Sequence, residues 1–227
     1  MLFDTHAHLN LPQFNLDYKD VLKDAHKQGI ALILPGIDLK SSKRAVAIAH
    51  EYQNNVYAAV GLHPTDVVEE KLDIKEYKKL AAHPKVIALG EVGLDYFHLP
   101  KDPAQCDAEK VRQHQVLQEF LQLAQEVNLP LILHCREAHE DLISLLSKQS
   151  LRASPRGVAI SGAPEIASVV ALPRNDKQLR GVIHCFGSTY EHALKYLDLG
   201  FYLGFNGIVT YKSFDTTLLE KIPLEKM

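Results

Sequence analysis

Short apolar runs and amphipathic helical patterns alternate seven times along this chain. That alternation limits the possible folds more than any other feature. A helix inserted between two strands carries the chain back, so the next strand enters in the same direction as the last. The apolar runs lie at 2–5, 30–35 (IALILP), 56–60 (VYAAV), 86–89 (VIAL), 131–133 (LIL), 181–183 (GVI) and 201–205. The run at 30–35 is continuously apolar, as expected of a strand buried on both faces. Helical patterns cover 17–29, 38–52, 69–83, 105–128, 138–148, 190–199 and 218–222. Asp17 reads as an N-cap and Gly29 as a stop for the first of these. Short, regular units favour a TIM-type (β/α) barrel over an open doubly wound sheet. An ideal barrel needs eight units. Seven are present, and the chain ends at Met227, where an eighth strand should begin. The expectation is one α/β barrel domain over 1–227, with the eighth strand and last helix missing.

Barrel chemistry gathers at the C-terminal ends of the strands. The residues found there, in order, are His6 and His8, His63, Glu91, His134 and His184. Side chains two apart on a strand share a face, so His6 and His8 project together. Two neutral imidazoles on one side form a chelate for a divalent cation. Each histidine alone could equally be a satisfied core residue. Their joint occurrence at one level of a parallel sheet points to a metal site. Glu91 would be costly to bury alone, and bridging two cations would satisfy both its oxygens. The arrangement suggests one metal on His6, His8 and Glu91, and a second on Glu91, His134 and His184. Two cations about 3.5–4 Å apart clamp the attacking and leaving oxygens of a phosphoryl displacement, and a coordinated water ionises near neutral pH. Histidine and carboxylate ligands accept zinc, magnesium, manganese or nickel, so the residues leave the metal open.

Composition narrows the partners. A net charge of −3 gives no global basic field for nucleic acid, so such a substrate would need a local site. Three cysteines do not suggest a disulfide framework. There is no basic segment followed by an apolar stretch at the start, and no run long enough for a membrane span. A cytoplasmic protein without a membrane partner or a stable protein partner is expected.

Six stretches carry a family resemblance: DTHAHL (4–9), GLHP (61–64), GEVGLDY (90–96), LILHCREA (131–138), VIHCFGS (182–188) and GFNGIVTYK (204–212). In this order they resemble the TatD family of metal-dependent deoxyribonucleases, within the amidohydrolase-like hydrolases. The resemblance implies a TIM-type barrel, a site for two divalent cations, and hydrolysis of DNA phosphodiesters, often as a 3′→5′ exonuclease. It implies metal ligation by His6, His8, Glu91, His134 and His184, with His63 contacting substrate phosphate. Arg136, two residues past His134, could contact phosphate likewise, since a guanidinium matches its oxygens; the alternative is a solvated residue at a helix start. Glu91 stands where some amidohydrolases carry a carboxylated lysine, which favours the nuclease branch. Two departures matter. The family's last motif, a Glu-Thr-Asp-type stretch on the eighth strand, has no counterpart before the chain ends, and Asp215 is a poor substitute. The segment 150–180 is longer than in relatives and is expected to be a catalytically silent loop on the face opposite the site. The other readings are a truncated relative that keeps metal but little activity, and a hydrolase of another ester or amide.

Other residues have plainer readings. Strand alternation points Cys135 and Cys185 outward as packing thiols. His26, His50, His83, His114, His139 and His192 lie on helical stretches and are expected to be solvated. His98 could lie near substrate. Asp95 and Tyr96 are expected to shape their loop, and Asp4 to hydrogen-bond within the strand end or support a ligand histidine.

Overall fold

The second strand shows how the sequence builds the fold. In β2 (Ile30–Pro35), Leu32 and Leu34 point to one side and Ile33 to the other, and all three are buried. Leu32 and Leu34 join the large core between sheet and helices. Ile33 joins a smaller cluster with Tyr57, Ala59, Ala88 and Ile132 on the opposite face. Both faces are therefore apolar, which is why the run reads as continuous rather than alternating. The computed structural model describes residues 2–152, 178–212 and 214–227.

The remaining strands are β1 (Leu2–Asp4), β3 (Val56–Val60), β4 (Val86–Asp95), β5 (Leu131–Arg136), β6 (Gly181–Ile183) and β7 (Phe201–Leu203). They form one seven-stranded sheet in the order β1 to β7, every neighbouring pair parallel. This is the expected TIM-type α/β arrangement with seven of eight units; among the described residues β7 and β1 are not joined. The helices are α1 (Tyr18–Lys27), α2 (Leu39–Glu51), α3 (Ile74–Ala81), α4 (Pro103–Val127), α5 (His139–Arg152), α6 (Tyr190–Asp198) and α7 (Thr217–Lys221). None of the described helices is long and apolar enough to cross a membrane. Most of the expected segment at 150–180 lies outside the described residues.

Caps explain where several helices begin. Asp38 accepts from the Ser41 amide while the Ser41 hydroxyl takes the Asp38 amide, a reciprocal cap on α2. Asp102 accepts from the Gln105 amide, and Pro103 opens α4, where its missing N–H is harmless. The pattern over 69–83 yields a shorter helix because Asp73 accepts from the Glu76 amide and sets the start of α3. Asp17 occupies the N-cap position of α1, as expected, but makes no side-chain cap bond there.

The largest difference from expectation is in β4. The strand does not end at Leu89 but continues to Asp95. Its register against β5 shifts between Leu89 and Val92, so three steps on β4 match two on β5. Leu89, Val92 and Leu94 all lie in the sheet–helix core. The extra residue thus turns Glu91, Gly93 and Asp95 to the inner face, where plain alternation from Leu89 would have sent Glu91 outward.

Candidate metal centre

The inner face of the strand ends collects imidazoles around one carboxylate. Glu91 is 3% exposed. Its Oε2 lies 2.9 Å from His6 Nε2 and 3.4 Å from His8 Nε2. Its Oε1 lies 3.0 Å from His134 Nδ1 and 3.7 Å from His63 Nε2. Two groups of three could each hold a cation: His6, His8 and Glu91, and His63, Glu91 and His134.

Local structure aims each ring. The His6 amide donates to Asp4 Oδ1 at 2.9 Å, which fixes the bend after β1, as expected for Asp4. His8 Nδ1 lies 3.3 Å from the Pro35 carbonyl oxygen, which can only accept. Donating there, His8 leaves the lone pair of Nε2 facing Glu91 and His6. His6 and His8 present Nε2 atoms only 2.9 Å apart, and the buried His6 Nδ1 has no partner among the described residues. Two imidazole nitrogens and a carboxylate oxygen converging so closely fit a cation between them better than a set of mutual hydrogen bonds.

His63 follows β3. Its Nδ1 accepts from the Thr65 amide at 3.3 Å and lies 2.7 Å from the Thr65 hydroxyl. With Nδ1 accepting, the neutral ring carries its proton on Nε2, directed at Glu91 and the open site. Thr65 is a contact that the sequence did not single out. Gly61, just before it, has a second role. A Cβ there would stand 2.6 Å from the Gly90 carbonyl carbon and 2.9 Å from the Glu91 nitrogen, so only glycine lets β3 approach the Glu91 backbone.

His184 lies elsewhere than the sequence grouping implied. Its ring stacks on His6, with centroids 3.4 Å apart and planes 12° from parallel. Within the second group of three, His63 rather than His184 accompanies Glu91 and His134. His184 still faces the same cluster, closing it from the β6 side.

Behind His134 stands Asp95. Its Oδ2 is 3.0 Å from His134 Nε2 and 2.8 Å from His98 Nδ1. Gln113 of α4 holds the Asp95 backbone at both ends, accepting from its amide and donating to its carbonyl. Asp95 therefore orients a site histidine, and does more than shape a loop. The signal was period-2 spacing: 91, 93 and 95 share a face once the strand is known to continue. His98 is tied to Asp95 with half its side chain exposed.

The charges follow from these contacts. Burial opposes ionisation of Glu91, but the imidazoles around it, His134 and His6 above all, hold its carboxyl well below the usual range. Burial likewise disfavours the charged His134 ring, yet its bonds to Asp95 and Glu91 push it up to about 9. Burial lowers His63 to about 4 and His184 to about 3, keeping both rings neutral.

At the rim, Arg136 is exposed, and its guanidinium carbon lies 3.7 Å from the Phe97 ring centroid. Cys135 points outward as expected, its sulfur accepting from the Tyr196 hydroxyl at 3.7 Å. Two helical histidines are not solvated. His139 lies 3.0 Å from Tyr196 Oη and stacks on His192, because α5 and α6 pack side by side.

A family model described as TatD related DNase matches residues 3–227. The protein named "Uncharacterized metal-dependent hydrolase YabD" of Bacillus subtilis is 35% identical over 215 residues, 94% of this chain and 71% of that protein. The "3'-5' ssDNA/RNA exonuclease TatD" of Escherichia coli is 29% identical over 225 residues, 98% of this chain and 74% of that protein. The crystal structure of the TatD homologue YjjV from Escherichia coli superposes with a TM-score of 0.77 at 28% identity, covering 99% of this chain and 76% of that one.

Proposed function

The chain belongs to the TatD-related DNase family of metal-dependent hydrolases, and on that premise we propose that it cleaves DNA phosphodiester bonds, releasing nucleotides from the 3′ end. The observation that carries this reading is the convergence of His6 and His8 on one oxygen of Glu91 while His134 faces the other.

The donor set fits cations. It offers the Nε2 atoms of His6 and His8, 2.9 Å apart, beside a carboxylate held ionised. We assign two divalent cations, zinc, magnesium, manganese or nickel, to this site, where His6, His8, Glu91, His134 and His184 would hold them. When bound, such cations supply Lewis acidity and make water a competent nucleophile near neutral pH. The protein's own groups do the rest. Glu91 holds the set together through both oxygens. Asp95 keeps His134 turned toward Glu91. His63, with its proton on Nε2, donates to a non-bridging phosphate oxygen. Arg136 reaches the next phosphate from the rim, where its planar fork matches two oxygens. The weak net charge of −3 fits a local, phosphate-sized site rather than a broad nucleic-acid surface.

The test is hydrolysis of a short single-stranded DNA with added manganese, magnesium or zinc, with and without chelator, beside Glu91→Ala. Nucleotide release that disappears on chelation and in Glu91→Ala supports the reading. Metal binding without cleavage of DNA would move the assignment to another ester or amide substrate.

A further inference from the structure

Phe97 is half exposed, at 52%, in the turn that follows β4. A single exposed phenylalanine is ordinary on a protein surface. What distinguishes this ring is how it is held. One face lies on the guanidinium of Arg136, 3.7 Å from carbon to centroid. Its surroundings include the His98 ring, 4.9 Å away and nearly perpendicular at 85°. His98 in turn is pinned by Asp95, the same carboxylate that orients His134. An aromatic ring is thus fixed in orientation without being buried, a few contacts from the metal centre.

Arg136 is two residues past His134 on β5, so both project from the same face of the sheet. Among the described residues no carboxylate pairs with it. Stacking occupies the flat face of a guanidinium and leaves the N–H groups at its edge free for phosphate oxygens. The pair therefore presents two kinds of contact side by side: a π-face for a base, and a fork for the phosphate attached to it. Single-stranded nucleic acids are held by this combination of aromatic stacking and basic groups along the backbone. In a duplex, each internal base is already stacked and paired, and does not offer its face.

We infer that Phe97, backed by Arg136, is the stacking platform for an unpaired base of the substrate, and that it makes this site prefer single-stranded over duplex ends. The inference rests on the proposal that the site cleaves DNA. Phe97 acts here as a specificity-determining residue and takes no part in bond cleavage. Because every base has a π-face, the platform discriminates by strandedness and not by sequence.

Binding without turnover tests it. A fluorescent oligothymidylate, an abasic strand of the same length and a blunt duplex are titrated in chelator with the parent chain, Phe97→Ala and Phe97→Trp, followed by anisotropy. Expected is a loss of about 5- to 150-fold in oligothymidylate affinity for Phe97→Ala, the range that alanine substitution of a stacking residue gives. Phe97→Trp should bind as well as the parent or better. The abasic strand should bind the parent weakly and be indifferent to Phe97→Ala, since the stack is then already absent. The parent should bind the duplex more weakly than the single strand, and Phe97→Ala should narrow that gap. Equal oligothymidylate affinity for parent and Phe97→Ala, no binding by the parent, or an equal loss on the abasic strand overturns the platform. Hydrolysis with manganese is measured separately. Phe97-dependent binding with no cleavage under any metal would sink the nuclease reading while leaving the platform standing. Cleavage with Phe97-independent binding would do the reverse.

Discussion

Oδ2 of Asp95 stands 3.0 Å from Nε2 of His134, while the other nitrogen of that ring faces Glu91 at the same distance. The imidazole is thus clamped between two carboxylates, one inside the site and one behind it. A carboxylate behind a ligand histidine fixes its tautomer and raises its basicity, and removing it typically weakens metal binding about 10- to 100-fold. Asp95→Asn is expected to lose metal affinity in that range while remaining folded. Calorimetric titration of manganese or zinc into parent and variant measures it, and equal affinities would show that Asp95 has no hold on the site.

Metal should also stabilise the fold, because the converging groups come from β1, β4 and β5 and are brought together only in the native state. At free metal about 100-fold above Kd, binding contributes about 2.7 kcal/mol, which in a chain of this size raises Tm by about 5–10 °C. Glu91→Ala removes the carboxylate shared by both groups, so its melting temperature should not respond to metal. Differential scanning calorimetry with and without chelator reads the difference. A metal-induced rise in Glu91→Ala equal to the parent's would place the binding elsewhere.

The sequence made the strand ends legible because apolar runs and period-2 spacing are local. His6, His8, His63, Glu91, His134 and His184 all reach the same end of the sheet for that reason. What it could not show depended on long-range contacts. The inward turn of Glu91 and Asp95 requires the bulge between Leu89 and Val92, a property of the β4–β5 register. Whether His63 or His184 accompanies His134 depends on ring packing, and His184 is taken up against His6. His139 and His192 looked solvated on their own helices, yet α5 and α6 press them together. The Arg136–Phe97 pair joins a strand end to a turn, and neither residue predicts the other.

Close backbone approach at Gly61 gives a further test. A Cβ at this position would meet the Gly90 carbonyl carbon at 2.6 Å and the Glu91 carbonyl oxygen at 2.8 Å, neither able to swing aside as a side chain could. Forcing a methyl into such a contact costs about 1–3 kcal/mol, and here the displaced backbone carries the shared carboxylate. Gly61→Ala is expected to lower the urea midpoint and to weaken metal binding together. A variant with reduced stability but unchanged metal affinity would show that Glu91 is positioned independently of β3.

The last prediction concerns pH. Burial is the main cause that lowers His139 to about 4, and the neighbouring His192 adds to it. An unfolded histidine titrates near 6.5. Between those values the unfolded chain binds more protons than the native one, so stability rises with pH. The contribution is fully present above the unfolded value and is lost as pH falls toward 4. His63 and His184, also lowered by burial, act in the same direction, so the His139 share must be read as a difference. His139→Gln, which keeps a polar partner for Tyr196, should lose less stability than the parent between pH 7 and pH 5. Allowing for the partial exposure of the ring, the gap should be about 1 kcal/mol. Urea unfolding of both chains at the two pH values in chelator measures it. Parallel losses in parent and variant would mean that His139 does not change protonation on folding.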